Sequence, residues 1–326
     1  LGISIGEFFD LTWSLFSKKR LYKSTPCPSL DKWTRLQALN KVLTLSVPLT
    51  ISGFLNVLLN FLNAILIPSR LVFAGYTNSF AIASFGRIMG MAMPLIQLPF
   101  VVTSALVTNI IPSLSKQLIL NKKVNMKYDI GLAIKITMIV AIPLTLLYAT
   151  LSKPLAIFLY EDLLAASYIE IMGYGTVFLA LQHTFSGILF GLNRQIQATV
   201  YRIIAMLIRV YLIYVLVGNP KFEIYGYFIA FFITNIIILI LDSITLKRAV
   251  RLNLNYIDII GKPFVASLFM IGYLKITVFN LDNLIYVTPL NFIFSLVVAF
   301  LSYIFILTIT SAVPKGCFKK ILNNKY

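Results

Sequence analysis

Long apolar stretches recur along the chain, separated by short polar connections. A membrane-spanning helix needs about 20 mostly apolar residues, and eight windows of the sequence have this character. They lie at 42–68, 78–113, 129–151, 163–190, 203–218, 224–246, 264–280 and 288–313. Residues 1–16 have the composition expected for the end of a ninth span that begins before this chain. The pattern predicts an all-α integral membrane protein, a polytopic helical bundle with eight spanning helices and part of a ninth.

Composition and charge support this prediction. Hydrophobic residues make up 59% of the 326 positions and charged residues 12%, and mean hydropathy is +0.89. Soluble domains carry about 25% charged residues. A net charge of +17 on a soluble protein suggests nucleic-acid binding, but here most of the 28 lysines and arginines lie in alternate loops. The positive-inside rule then places segment 17–41 and the C-terminus in the cytoplasm of a multi-pass cell-membrane protein. We expect no nucleic-acid partner.

Motifs for catalysis or metal binding do not stand out in the sequence. It contains no Walker motif, no HExxH and no CxxC. The two cysteines, Cys27 and Cys317, lie in basic connecting segments, where we expect reduced thiols that bind no zinc. We therefore expect no metal, no cofactor and no enzymatic activity.

Polar residues inside the first window fall on one face of the predicted helix. At 100° per residue they occupy an arc of about 80°. These residues are Ser52, Asn56, Asn60, Asn63 and Arg70. Such a stripe does not face lipid, so it either hydrogen-bonds to other helices or lines a watery cavity.

The second window contains a permanent charge and helix-breaking residues. Arg87 lies about 13 Å from the start of the span at 1.5 Å per residue, which predicts that it points inward. Pro94 and Pro99 each remove a backbone hydrogen bond and predict kinks. Together they indicate a bent helix that lines a polar cleft and acts as a hinge. The alternative for Arg87 is an ion pair with an acidic residue.

Two later spans form a predicted antiparallel hairpin with polar residues on facing sides. Arg202 and Arg209 are seven residues apart, as are Asn235 and Asp242. Counting from the turn near residue 220 places Arg209 level with Asn235 and Arg202 near Asp242. We interpret the four as a buried polar network. His183, the single histidine, is interpreted as a packed polar residue rather than a proton relay.

Three stretches together resemble one transporter family. They are ISGFLNVLLNFLNAILIPSRL at 51–71, GMAMPLIQLPFVVTSALVTNIIPSLSK at 90–116 and SGILFGLNRQ at 186–195. Their order and spacing resemble the stage V sporulation protein B and polysaccharide biosynthesis (oligosaccharide flippase) family. That family belongs to the multidrug/oligosaccharidyl-lipid/polysaccharide exporter superfamily.

The resemblance implies the second lobe of a MATE-like transporter, in a chain that lacks most of the first lobe. It implies five segments: 1–16 as the end of a truncated span, 17–41 as a cytoplasmic linker, 42–250 as the six-helix C-terminal lobe, 251–313 as two additional spans, and 314–326 as a cytoplasmic tail. The missing N-terminal lobe is then a partner in the same chain, and membrane lipid surrounds both.

The implied function is export or flipping of a lipid-linked saccharide of the undecaprenyl pyrophosphate type, in cell-wall or spore cortex peptidoglycan synthesis. In this interpretation Arg87 holds the pyrophosphate, Pro94 and Pro99 act as hinges, and a group of amides lines the sugar path. The amides are Asn56, Asn60, Asn63 and Gln97. The alternatives are a cation-coupled exporter of drugs or small solutes and a non-transporting scaffold for envelope assembly.

Overall fold

The computed structural model describes residues 35–250, 255–279 and 289–310, together with Gly6, Phe9, Thr12 and Trp13. Contacts divide the chain into two units, 1–47 and 48–326. In the first unit the structure describes the four isolated residues and the beginning of one helix. The predictions for Cys27 and Cys317, for most of 1–34 and for the tail 314–326 lie outside the described residues, as does the side chain of Ser52.

All regular elements in the described part of the chain are helices. They are α1 (Arg35–Phe73), α2 (Asn78–Gly86), α3 (Met93–Ile96), α4 (Pro99–Ile119), α5 (Lys123–Tyr160), α6 (Leu163–Gly173), α7 (Thr176–Gly191), α8 (Gln195–Val217), α9 (Tyr225–Ala249), α10 (Lys262–Phe279) and α11 (Pro289–Ile309). Two π-helical segments, Arg87–Ala92 and Ile257–Gly261, connect α2 to α3 and lead into α10.

The predicted all-α membrane fold is confirmed. Seven helices in the described ranges are long and apolar enough to cross a membrane, and α6 and α7 form an eighth candidate span with a bend of 50° between them. Helix ends differ from the predicted windows in both directions: α1 extends beyond 42–68 at both ends, whereas α11 ends at Ile309, inside 288–313. The first helix begins at Arg35, inside the range assigned to the linker. The long helix α5 has a kink at Leu151, where the predicted window ended.

The window 78–113 is interrupted rather than smoothly bent. A turn at Gln97 and Leu98 separates α3 from α4, and Pro99 is the first residue of α4. Pro99 has no amide hydrogen to donate to the carbonyl of Leu95, which accepts instead from the amide of Leu98 at 3.1 Å. The hydroxyl of Tyr148 on α5 donates to that carbonyl at 2.7 Å. A side chain from a neighbouring helix thus gives this carbonyl a second donor at the helix break, where lipid offers none.

Glycines bring several helices into close contact. Gly187 and Gly191 on α7, four residues apart, face α4. A Cβ at Gly187 would lie 2.5 Å from Val107, and one at Gly191 would lie 3.2 Å from the backbone of Ile111. Small residues at this spacing permit close packing of membrane helices. Within the stretch SGILFGLNRQ, these two glycines are therefore part of the surface that α7 packs against α4.

The hairpin of α8 and α9 has the predicted turn between Val217 and Tyr225. Gly226 lies so close to α8 that a Cβ there would be 2.6 Å from the carbonyl carbon of Leu216. Arg70 of α1 reaches the same end of α8, where its Nε donates to the carbonyl of Tyr214 at 3.0 Å. Its guanidinium also stacks on two aromatic rings. The guanidinium carbon lies 4.3 Å from the ring centroid of Phe73 and 4.0 Å from that of Tyr214.

Buried apolar side chains form two clusters at different levels of the bundle. One joins the ends of helices near Leu71, Tyr148 and Tyr227. The other surrounds Leu114 and Ile188. The polar residues in the middle of α7, α8 and α9 lie between these two levels.

Replacement of Gly226 by alanine should destabilise the hairpin. Because the clash is with backbone rather than with a flexible side chain, we expect a loss of about 1–3 kcal/mol, the usual range for overpacking. A Cβ added to Gly272 of α10 would meet nothing within 4 Å, so Gly272→Ala is the matched control. It should leave stability unchanged or raise it slightly. Thermal unfolding in detergent measures both, and equal effects would contradict the packing argument.

Replacement of Tyr148 by phenylalanine should cost about 1 kcal/mol, because the Leu95 carbonyl loses one of its two donors. In a Pro99→Ala background the cost should shrink, since the alanine introduced there has an amide hydrogen that can bond to the same carbonyl. A double-mutant cycle of unfolding temperatures measures the difference. An identical cost in both backgrounds would show that Tyr148 does not compensate for the proline.

Candidate functional site: a polar cavity between the helices

A cavity of about 380 Å³ lies at the level between the two apolar clusters. Helices α1, α3, α4, α7, α8 and α9 contribute side chains to its wall. The polar ones are Asn56, Asn60, Gln97, Gln182, His183, Arg202, Arg209, Thr234 and Asn235. The apolar ones are Leu55, Leu59, Met93, Phe100, Leu179, Ala205, Met206, Phe231 and Ile238. None of these described wall residues is an aspartate or glutamate.

The polar stripe of α1 divides into two parts. Asn56 and Asn60 line the cavity. Asn63, one turn further along, is 2% exposed and is not in the wall, and its Oδ1 has no hydrogen-bond partner among the described residues. Arg70 packs on α8 beyond it. The stripe thus serves both alternatives considered for it, a cavity wall at one end and helix packing at the other.

The interrupted helix contributes Gln97 to the wall. Its backbone amide bonds to the carbonyl of Met93 within the turn that separates α3 from α4. The side chain is exposed, and its Nε2 lies 3.9 Å from the sulfur of Met93. The helix break forced by Pro99 therefore places an amide side chain at the cavity. Whether Pro94 and Pro99 act as hinges stays a prediction.

Helix α7 contributes two wall residues that the sequence did not single out for binding. His183 stacks on Phe100 with ring centroids 4.8 Å apart, and its Nδ1 is 2.9 Å from the hydroxyl of Thr103. This contact matches the interpretation of His183 as a packed residue, yet its ring also forms part of the wall. Gln182 has a buried Oε1 without a hydrogen-bond partner in the described part of the chain. An adjacent glutamine and histidine in an otherwise apolar helix is the signal that could have identified this pair.

The polar residues of the α8–α9 hairpin reach the cavity, with one exception. Arg202, Arg209 and Asn235 all line it, whereas Asp242 is fully buried and outside the wall. Asn235 donates to the carbonyl of Phe231 on its own helix at 2.8 Å. The charges of Arg202 and Asp242 interact across the hairpin. No described residue hydrogen-bonds to the Asp242 carboxylate.

Arg209 packs mainly against aromatic rings. Its guanidinium carbon lies 5.0 Å from the ring centroid of Phe231 and 5.6 Å from that of Tyr227. Its Nη2 donates to the Tyr227 hydroxyl at 3.1 Å. Insertion scales put the cost of an arginine at the centre of a spanning helix at about 2.5–3.5 kcal/mol, and a cation–π contact returns about 0.5–2 kcal/mol. Aromatic packing therefore offsets only part of the cost.

Arg87 lies outside the cavity wall and forms an ion pair. Its Nε donates to the carboxylate of Asp162 at 2.6 Å, and both side chains are 20% exposed. Asp162 caps α6 by accepting from the amides of Leu164 and Ala165. This is the alternative that the sequence analysis considered for Arg87. Its role as a pyrophosphate ligand stays a prediction.

The arrangement suits binding of a polar or anionic molecule inside an apolar bundle. Amides both donate and accept hydrogen bonds, as sugar hydroxyls do, and arginines supply positive charge. In the described residues no group of three or more histidine, cysteine, aspartate or glutamate side chains is placed to hold a metal ion.

Comparisons with known proteins agree with the predicted family. A family model described as MatE matches residues 48–215, slightly more than half of the chain. The chain is also similar to Stage V sporulation protein B of Bacillus subtilis (strain 168), with 24% identity over 219 residues. The alignment covers 67% of this chain and 42% of that protein, so the chain spans less than half the length of this curated relative. No solved structure matches the chain.

Paired substitutions at Arg87 and Asp162 test whether the ion pair is structural. Arg87→Ala and Asp162→Asn should lower the unfolding temperature by similar amounts, because each removes the same charge-assisted bond. Exposed pairs contribute up to about 1 kcal/mol.

Arg87 also lowers the pKa of Asp162 by hydrogen bonding to its carboxylate. Because the pKa of Asp162 is lower in the folded state, the ion pair stabilises the fold at pH values above the ordinary pKa of an aspartate. This stabilisation is lost as the pH falls through the folded-state pKa. The loss of this stabilisation at low pH should therefore be absent in Asp162→Asn. Transport lost in Arg87→Ala but kept in Asp162→Asn would instead make Arg87 a substrate ligand.

Proposed function

The chain belongs to the MatE family, and from that membership we propose that it works as a membrane transporter of a lipid-linked saccharide or polysaccharide precursor. Transport proceeds by alternating access, with the polar cavity as the binding site and without making or breaking a covalent bond. The protein acts in the cell membrane with its C-terminus in the cytoplasm, in cell-wall or spore cortex peptidoglycan synthesis.

The observation that carries this proposal is a cavity with polar walls in the middle of a bundle that is otherwise apolar. Polar groups at membrane depth are stable where they line water or contact other protein groups. Two wall groups, Oε1 of Gln182 and Nε of Arg209, have no such protein partner in the described residues. A molecule with many hydroxyl groups can satisfy them.

The mixed polar and apolar lining of the wall supports binding of an amphiphilic molecule. Amides of Asn56, Asn60 and Gln97 come from α1 and the helix break. Methionine and leucine side chains alternate with them, including Met93 and Met206. A saccharide offers hydroxyl groups to the amides and apolar ring faces to the methionines. The name of the Bacillus relative points to sporulation, which supports a role in the spore envelope.

A cation-coupled exporter of small solutes is the second candidate. The observation in its favour is Asp242, which is 0% exposed inside α9 and has no hydrogen-bond partner on either oxygen among the described residues. Buried carboxylates inside membrane spans mark ion and proton pathways. Coupling of transport to a cation should then be lost in Asp242→Asn, whereas the saccharide proposal requires no such loss.

Cysteine labelling tests whether water reaches the cavity. In the intact protein with Cys27 and Cys317 replaced by serine, cysteines at Asn56 and Asn60 should react with a membrane-impermeant maleimide. Val57 and Phe61 on the same helix are 67% and 61% exposed and are absent from the cavity wall. Cysteines there are the matched controls and should stay unlabelled, because they face lipid.

The two readouts separate a transporter from a scaffold. Labelling at residues 56 and 60 that falls when a lipid-linked saccharide is added supports transport. Equal protection at all four positions would show that α1 packs against another protein surface and would favour a scaffold. Flipping of a fluorescent lipid-linked saccharide in proteoliposomes then measures the activity directly.

A further inference from the structure

The charges in the cavity wall all have one sign. The described wall residues include two arginines, Arg202 and Arg209, and no carboxylate. Both arginines lie on α8, seven residues apart and therefore on one face of the helix. A low-dielectric pocket with only positive side chains attracts anions.

The two arginines have different surroundings. The charge of Arg202 interacts with that of Asp242 on α9. Arg209 forms no ion pair with any residue that the structure describes, and its polar contact is the Tyr227 hydroxyl. Its Nε is buried and has no hydrogen-bond partner in the same part of the chain. Arg209 is thus a cation whose charge is not balanced by a neighbouring carboxylate.

The neighbours of Arg209 hold its guanidinium in place. The ring of Phe231 lies along one side, and Tyr227 provides both a ring and a hydroxyl acceptor. Tyr227 and Phe231 are themselves 0% and 1% exposed. Their fixed positions reduce the entropy that the arginine loses when it binds a ligand. A planar guanidinium fixed in this way can bind two oxygens of a phosphate at once.

We propose that Arg209 is the residue that binds the anionic phosphate or pyrophosphate group of the transported molecule. Arg202, on the same face, adds positive charge that Asp242 partly balances. The amides of Asn56, Asn60 and Gln97 bind the neutral saccharide part. This inference deepens the proposed function and rests on it for the identity of the saccharide. It assigns the anion to α8 rather than to Arg87, whose Nε is already bonded to Asp162.

The test is binding of inorganic pyrophosphate to the intact protein in detergent, measured by calorimetry. Arg209→Gln should weaken binding at least tenfold, and Arg209→Lys should weaken it several-fold because lysine lacks the two-pronged geometry. Arg70→Gln is the matched control, since Arg70 also stacks on two aromatic rings but lies outside the cavity wall. It should bind pyrophosphate within twofold of wild type.

A second variant keeps the test informative if Arg209→Gln fails to fold. Tyr227→Phe preserves the ring and the arginine but removes the hydroxyl that accepts from Nη2. It should weaken pyrophosphate binding about two- to fivefold, as expected for loss of one orienting hydrogen bond. Unchanged binding in both Arg209→Lys and Tyr227→Phe would overturn the assignment, as would absence of pyrophosphate binding by the wild type.

Competition identifies the source of the phosphate. Undecaprenyl pyrophosphate and phosphatidylglycerol are added separately, at equal mole fraction, to protein loaded with pyrophosphate. Displacement by either lipid supports an anion site on α8, and the stronger competitor shows which headgroup the site prefers. Displacement by neither overturns the proposal that the anion belongs to a membrane lipid.

Flipping assays separate this inference from the proposed function. If wild type and Arg209→Gln flip a lipid-linked saccharide at equal rates, the anion assignment is wrong and the transport proposal stands. If the wild type binds pyrophosphate through Arg209 but flips no saccharide, the anion site stands and the transport proposal is wrong.

Discussion

The hydrocarbon core of a membrane supplies no hydrogen bonds, so each polar group within the bundle depends on another protein group or on enclosed water. Many side chains of this chain meet that requirement inside the helices. Thr137 and Thr184 share a hydrogen bond of 2.7 Å between α5 and α7. The Tyr303 hydroxyl reaches the carbonyl of Ile139 at 2.6 Å. These bonds, with the Tyr148 bond to Leu95, tie neighbouring helices together where apolar packing alone has no directional preference.

The same requirement makes the exceptions informative. Two buried polar atoms of the cavity wall, Oε1 of Gln182 and Nε of Arg209, have no partner in the described residues. Others lie outside the wall, among them Oδ1 of Asn63 and the carboxylate of Asp242. A buried polar group without a hydrogen bond lowers folding stability by about 1–3 kcal/mol. A purely structural role provides no interaction that compensates for this cost. A site that binds and releases a polar molecule must have such groups, because groups already paired within the protein have little to offer a ligand.

The sequence predicts the spans well because lipid exposure demands long apolar runs whatever the helices pack against. It also predicts that Asn56 and Asn60 face inward, since helical periodicity alone fixes the face they share. It does not predict that Asn63, on that same face, is covered while Asn60 is not, because this depends on where the apolar clusters end. Arg87 likewise shows that the sequence does not predict contacts between distant residues. Its depth in the span indicated an inward side chain, but the ion pair depends on the position of Asp162, 75 residues away.

The walls of the cavity differ in how firmly they are held. Helices α4 and α7 are packed closely through Gly187 and Gly191, and α8 and α9 are packed closely through Gly226. By contrast, only 17% of the most apolar stretch of α1 is buried, against 50% for α5. Arg70 fastens α1 to α8 near one end, whereas Asn56 and Asn60 lie ten or more residues away, about 15–21 Å at 1.5 Å per residue. A helix fixed at one end and lightly packed along its length can move at the other without breaking the core. The alternating access that we propose requires a wall that can move, and α1 carries Asn56 and Asn60, which line the same cavity as the arginines of α8.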